Sequence, residues 1–486
     1  MLRDPRPLSP PLRRDPRPGR SCLRVLGPAA GIADNGPMPP APALATPAAR
    51  CPVHDSGACR SCPHLSTPLP RQLEVKQERV AALLSEGPNP VPRGVWQEPA
   101  ASAPTRLRNK AKMVVSGTAR APVLGILDAG LHGVDLRRCP LHVELIEQCL
   151  PVVAELITDL GLEPYDVRAR RGELKHVLVT ASPDGDLMVR LVLRSRRHLE
   201  DIRRALPALR RRLETLAVLS VNIQPVHQAV IEGEEEIVLT DGPEGDSLLM
   251  RLRLPAPGRD GSGSPAGPLD APGTELLLSL PPRSFFQTNT AVAAELYATA
   301  RQWADDALPP SGPCDPAGAD GPQAARPSSA RPSSARPSPG APEEVWDLFC
   351  GVGGFALALA GPGRRVLGVE VSAQAVDGAR RSAARMRLGP DAVRFETGDA
   401  RVLDPGAPGS APDLLVVNPP RSGIGAELAT RIEACGVGRV LYSSCNPLTL
   451  RRDLAAMPSL EARRARLFDM FPHTDHAEVL VELVRT

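Results

Sequence analysis

The sequence predicts an α/β protein in which a doubly wound parallel sheet follows a central α+β domain and a small cysteine-bearing segment. Three observations predict it. From about residue 285 a helix over 289–307 is followed by the strands VWDLF, RRVLGVEV, AVRFETG, LLVVNP and RVLYSS, which alternate with helical or loop stretches; that alternation is the mark of a parallel sheet. The first of these strands runs into a glycine-rich turn, GVGG. Upstream, HVLVTAS, LMVRLVLRS, VLSVNIQPV and EEIVLT read as strands with one helix, 198–214, between two of them, a mixed α+β pattern.

The 486 residues carry 58 Lys and Arg against 55 Asp and Glu, so a net charge of +3 identifies no polyanionic partner by itself. Local basic runs say more: Arg106, Arg108, Lys110 and Lys112 form one, and Arg168, Arg170, Arg171, Arg194, Arg196 and Arg197, with Arg203 to Arg212 beyond, make others; such runs can contact phosphates, but a solvated helix face is the commoner reading. No stretch reaches the roughly 20 apolar residues that cross a bilayer, and a cytoplasmic location is expected. Fifty-six prolines against 13 aromatics indicate that part of the length is irregular. Residues 1–50 are expected to be a disordered extension or a misassigned start, with Met38 as an alternative start. Segments 255–273 and 311–342, the latter with the repeat ARPSS-ARPSS-ARPSP, are expected to be unstructured insertions. This divides the chain into a cysteine segment at 51–95, a central domain at 104–280 and a C-terminal domain at 281–486.

In the C-terminal domain Gly351, Gly353 and Gly354 let the backbone approach a ligand. Glu370 ends the next strand about 20 residues on, where a carboxylate can take both hydroxyls of a ribose. Together they point to an adenosyl cofactor. Asp399 in ETGDA is placed to lie near an adenine, and Asn-Pro-Pro at 418–420 forms a rigid turn at the carboxyl edge of the sheet. After the following strand, LYSSCNP puts Cys445 on the same edge. A thiolate there suits methylation of a pyrimidine carbon: carbon 5 of uracil is a poor nucleophile until a thiolate adds to carbon 6. Carbon 5 must then lose a proton, and Glu478, with His473 and His476 nearby, is the candidate base.

Ten cysteines in a cytoplasmic chain are not expected to form disulfides. Cys51, Cys59 and Cys62 stand together, and Cys139 can supply a fourth ligand; four thiolates suit zinc or an iron–sulfur cluster, and spacing does not choose. Cys22, Cys149, Cys314 and Cys435 follow no such pattern, and Cys350 reads as a packing residue.

Taken together, FFQTN, DLFCGVGGF, VNPPR, SSCN and FPHTDHAE resemble the RNA uracil-5-methyltransferase family, in its RlmC type, from Cys51 to the C-terminus. The resemblance implies a Rossmann-like S-adenosylmethionine-dependent methyltransferase domain, a central RNA-binding domain and an iron–sulfur segment. It implies that Gln287, Phe349, Glu370 and Asn418 contact S-adenosylmethionine, that Cys445 is the nucleophile and that Glu478 removes the proton; Gly351 and Asp399 are assigned to the cofactor site from the glycine turn and ETGDA read above. It also implies that Cys51, Cys59, Cys62 and Cys139 hold a [4Fe-4S] cluster. The implied partner is 23S ribosomal RNA at the uridine 747 type of site, on the strength of RNKAKMVVSG, RGELK, VNIQPVH and LFDMFPHT. Leu107 stands where the family's RNA-contact motif usually has an aromatic, and nothing resembles the family's frequent N-terminal β-barrel. No obligate protein partner is evident, and a monomer is expected. Two other readings compete: an amino-methyltransferase that uses the Asn-Pro-Pro turn and needs no thiol, and a non-catalytic RNA-binding or iron–sulfur sensing protein.

Overall fold

The computed structural model describes residues 49–228, 230–241, 245–255, 275–306, 342–401 and 411–486. The extension expected over 1–50 lies outside the described residues save 49 and 50, and the insertions expected over 255–273 and 311–342 lie outside them save Pro255 and Pro342. Among the described residues no helix is long and apolar enough to cross a membrane.

The described residues begin with a short helix α1 (Pro52–Asp55) and a longer α2 (Leu69–Leu84). The central sheet is then laid down by β1 (Lys110–Thr118), β2 (Ala121–Leu127), β3 (Gly133–Asp135), α3 (Glu144–Asp159), β4 (Leu174–Ala181), β5 (Leu187–Leu193), α4 (Leu199–Arg212), β6 (Leu216–Ile223) and β7 (Glu235–Val238). Its order is β3-β2-β1-β4-β5-β6-β7, antiparallel except where α4 carries the chain from β5 to a parallel β6. The amphipathic α3 and α4 cover one face: Ile146, Leu150, Val153, Ile157, Ile202 and Leu209 pack on Val177, Val179, Leu191 and Val221. On α4 and its flanks the basic runs are largely engaged, with Arg203 to Glu200, Arg204 to Asp201, Arg212 to Glu155 and Arg196 to Glu235.

A two-stranded ribbon, β8 (Leu248–Arg253) with β9 (Glu275–Leu280), leads to α5 (Thr290–Asp305). The second large sheet follows: β10 (Glu343–Leu348), α6 (Gly354–Leu359), β11 (Arg364–Glu370), α7 (Ala373–Arg385), β12 (Val393–Thr397), β13 (Leu414–Val417), α8 (Gly425–Cys435), β14 (Arg439–Ser444), α9 (Pro447–Leu454), β15 (Leu460–Phe468) and β16 (Glu478–Arg485). Its order is β12-β11-β10-β13-β14-β16-β15. The order reverses between β10 and β13, so their carboxyl ends flank the crevice in which such sheets bind ligands.

The sheet is not wholly parallel, as the sequence pattern suggested: β16 runs antiparallel to β14, and β15 antiparallel to β16. β15 escapes a reading by alternation because Arg463, Arg464 and Arg466 interrupt it. Two of these side chains nonetheless lie over the sheet: Arg464 sits 5.0 Å above the Trp303 ring and bonds Glu482, and Arg466 sits 5.3 Å above Phe468. The edge of β15 is covered by the segment after α2, where Gln97 and Ala100 donate to the carbonyls of Ala465 and Leu467, each at 2.8 Å.

Candidate active site

The carboxyl ends of β10, β11, β13 and β14 open into one cavity of about 630 Å³. Gln287, Phe349, Gly351, Glu370, Asp399, Asn418, Cys445 and Glu478 all line it, so residues spread over nearly 200 positions of sequence converge there.

Local chemistry explains each placement. β10 ends at Leu348, and Phe349 takes a left-handed conformation (φ 64) that turns the chain into the glycine loop. Gly353 has φ 87, and a Cβ on it would lie 2.8 Å from the Phe395 ring; a Cβ on Gly354 would lie 2.4 Å from the Tyr297 hydroxyl. Only glycine fits this turn. Asp347 lies beneath it, fully buried, with Oδ2 accepting from the Ala356 amide at 2.8 Å. Burial pushes its carboxyl up to about 8, the Ala356 amide opposes this, and Glu370 adds to it.

Glu370 is held across the opening of the cavity. One carboxylate oxygen accepts from the Gly351 amide (3.2 Å) and the other from Ser372 (2.9 Å). Asp399 is paired with Arg401 at 3.0 Å, and the hydrogen bonds from that side chain and its amide hold the carboxyl below its usual range. The loop after Asn418 is pinned from below, where Asp453 accepts from Ile424 N (2.8 Å) and the Tyr442 hydroxyl (2.7 Å).

Cys445 follows the wholly buried β14 and precedes Asn446, which caps α9 by accepting from Leu448 N, with Pro447 at the first helical position. The β14–β16 register pairs Ser444 with Val479, so the next step sets Cys445 against Glu478. Glu478 is buried, and Ser443 donates to its Oε1 at 2.6 Å. Burial raises its carboxyl to about 7 against the lowering effect of that bond. Burial, then the Glu478 charge, also raises the Cys445 thiol, while Arg421 lowers it. A half-buried thiol and a buried carboxyl with raised values on one cavity wall form a pair fit for nucleophilic and proton-transfer chemistry.

Both candidate histidines lie off that wall. His473 is fully buried, with Nε2 2.7 Å from the Pro104 carbonyl. His476 lines a neighbouring cavity with Arg79, Arg421, Cys445 and Leu448. Sequence reasoning missed Ser443, Tyr297, Arg421 and Phe471 as site residues. Arg421 and Ser443 sit inside VNPPR and SSCN, where their place beside recognised residues was the available signal.

Cys51, Cys59, Cys62 and Cys139 line another cavity, of about 300 Å³, together with Arg108, Lys110, Lys112 and Phe471. Cys139 is brought there because Arg106 and Leu107 donate to the Pro140 and Leu141 carbonyls. Among the described residues no group of three or more His, Cys, Asp or Glu side chains is arranged to hold a metal ion.

The family described as tRNA (Uracil-5-)-methyltransferase matches residues 411–486. Over nearly the whole length the chain is 43% identical to 23S rRNA (uracil(747)-C(5))-methyltransferase RlmC of Halothiobacillus neapolitanus, covering 90% of this chain and 99% of that one. It is 41% identical to the RlmC of Serratia proteamaculans, again over 90% and 99%. The chain belongs to the RlmC family of RNA (uracil-C5)-methyltransferases. It is therefore an S-adenosylmethionine-dependent enzyme. The fold agrees: the Pyrococcus abyssi tRNA (uracil-54, C5)-methyltransferase, solved with S-adenosyl-L-homocysteine, superposes with a TM-score of 0.62 at 21% identity, over 88% of this chain and 85% of that one. Within an RlmC-family chain the glycine loop, the Asn-Pro-Pro turn and the Cys445–Glu478 pair occupy a single cavity.

Proposed function

We propose that this enzyme methylates carbon 5 of a uridine in 23S ribosomal RNA, of the uridine 747 type, through a covalent bond from Cys445 to carbon 6. The observation that carries the proposal is Cys445 set against a buried Glu478 in the cavity that also contains the glycine turn. The substrate is argued from the relatives, which are named for uracil 747 of 23S rRNA.

In this reading Gln287, Phe349, Gly351, Glu370, Asp399 and Asn418 cradle S-adenosylmethionine, with Glu370 on the ribose hydroxyls. The Cys445 thiolate adds to carbon 6, and the ring π electrons move to form an enolate. Carbon 5 then takes the methyl group, and S-adenosylhomocysteine leaves. Glu478 accepts the proton from carbon 5, and expulsion of the thiolate restores the ring double bond. Burial and the neighbouring carboxylate disfavour the thiolate, and Arg421 is the counterweight. A carboxyl near 7 is matched to proton transfer at neutral pH. The target base must leave its stack to expose both faces of carbon 5 and carbon 6, which favours loop or single-stranded RNA.

Residues 281–486 are read as the methyltransferase domain, 104–280 as the RNA-binding domain and 51–95 as an iron–sulfur segment. The four cysteines line one cavity and are the side chains that would hold such a group; burial first, then the charges of the other three thiolates, raises Cys62 to about 11. Zinc and a four-iron cluster can both be held by four thiolates, and the cluster is preferred here only on the resemblance to the RlmC type. Cys51, Cys59, Cys62 and Cys139 would hold it as a structural centre, because methyl transfer moves no electrons.

The test is incubation with S-adenosylmethionine and a 23S fragment carrying 5-fluorouridine. Fluorine cannot leave as a proton does, so a denaturation-resistant adduct carrying the methyl group should map to Cys445. If active protein gives no adduct with several RNAs, the covalent reading fails.

A further inference from the structure

The loop that ends in Glu478 is held from outside the methyltransferase sheet, by α2 and the turn after Cys62. His473 is fully buried, in a left-handed conformation (φ 65) that a histidine rarely adopts. Every polar atom it has is engaged. Its amide donates to Gln72 Oε1 (2.8 Å), and its carbonyl accepts from the His64 amide (3.1 Å). Its Nε2 lies 2.7 Å from the Pro104 carbonyl, which can only accept, so that nitrogen bears the proton. Its Nδ1 then accepts from Gln72 Nε2 at 3.2 Å. The same Gln72 nitrogen lies 2.9 Å from the His64 carbonyl and 2.6 Å from that of Thr67, so its two hydrogens are shared among three acceptors and tie the turn after Cys62 to the loop.

One helical turn along α2, Lys76 donates to Asp469 Oδ1 (2.6 Å) and to the Phe471 carbonyl (3.1 Å), with Lys76 and Asp469 both 3% exposed. At the loop's outer end Asp475 receives His64 Nε2 (3.0 Å) and Arg79 (2.5 Å). Phe471, whose carbonyl Lys76 holds, lines both the cavity of Cys445 and Glu478 and the cavity of the four cysteines. Neither Gln72 nor Lys76 lines either cavity, yet each fixes the backbone on which Phe471 and Glu478 are carried.

We propose that Gln72 and Lys76 are positioning residues for methyl transfer, holding the 469–477 loop so that Phe471 separates the two cavities and Glu478 faces Cys445. The inference rests on the catalytic roles argued above for Cys445 and Glu478. Without the Gln72 contacts, His473 loses two of the bonds that hold it left-handed, and the chain entering β16 relaxes. A general base must stay within hydrogen-bond reach of the proton it takes, and a displacement near 1 Å is enough to impair it. The cysteine segment thereby acts on the reaction through packing alone.

The test uses the full chain with Gln72→Leu, and separately Lys76→Met combined with Asp469→Asn so that no charge is left buried alone. Each variant is checked for iron content and melting temperature, then assayed for 5-methyluridine formation on a 23S fragment. The 5-fluorouridine adduct, which requires thiolate attack and methyl transfer but no proton removal, is measured in parallel. The expected result is a kcat lower by about 10- to 100-fold, with KM for RNA within about twofold of wild type and less loss in adduct formation than in turnover. Unchanged kcat overturns the proposal, and so does a raised KM at unchanged kcat, which would make the segment an RNA contact. Gln72→Asn, which keeps the amide but shortens its reach, is read by the same criteria if Gln72→Leu does not fold. A wild-type protein that makes no 5-methyluridine overturns the catalytic reading and this one together, whereas an active wild type with fully active variants overturns this one alone.

Discussion

Ser443 donates its hydroxyl to Glu478 Oε1 over 2.6 Å, and this bond opposes the burial that lifts the carboxyl to about 7. A base must be ionised to accept a proton, so turnover should rise with pH through about 7. Ser443→Ala removes a contribution that lowers the value, and the acid limb should therefore move to higher pH, with turnover at neutral pH falling. Profiles of kcat against pH for both proteins check this. An acid limb that stays in place would remove Ser443 from the account.

Glu478→Gln keeps the shape of the base without its basicity. Thiolate addition and methyl transfer should proceed on ordinary uridine RNA, and the adduct should then persist for want of proton removal. Turnover should fall by about 10²- to 10⁴-fold. A denaturing gel that follows radiolabelled methyl groups distinguishes an accumulating protein–RNA adduct from simple inactivity.

Asp347, buried under the glycine turn, holds its proton up to about 8 when folded, against an ordinary value of 3.8. The folded state therefore binds a proton that the unfolded chain releases. That stabilisation is complete below about pH 4 and is lost as pH rises toward about 8. Glu478 acts in the same direction between 4.5 and about 7, so the informative comparison is with Asp347→Asn, which removes one titration only. Denaturant unfolding across this range should show a steeper decline for wild type than for the variant.

The glycine turn is sterically closed at two positions. Gly353→Ala adds a Cβ at φ 87 and 2.8 Å from Phe395, and Gly354→Ala adds one 2.4 Å from Tyr297. Gly353→Ala should cost more than about 1 kcal/mol of stability, and both should weaken S-adenosylmethionine binding. Gly361→Ala, where nothing lies within 4 Å, serves as the control. Thermal melting and calorimetric titration with the cofactor measure the two effects.

The cavity residues could be read in the sequence because each stands at a strand end inside a contiguous motif: the glycine loop after β10, Glu370 at the end of β11, Asn418 after β13 and Cys445 after β14. What joins those motifs was hidden. Tyr297, in α5, meets Gly354 from 57 positions upstream, and Ser443 looks like any serine in a buried strand until β16 is laid beside it. β15 was obscured by arginines whose partners, Trp303 and Glu482, come from other elements. The hold of α2 on the last loop has no local signature, because Gln72 and His473 are 401 positions apart.

That separation also sets when the enzyme can become active. In chain order Cys445 precedes its base, and α2 precedes the loop it grips by about 400 positions. Closure of so long a span is slow compared with pairing between neighbours. Until β16 is laid beside β14, Cys445 has no carboxyl set against it.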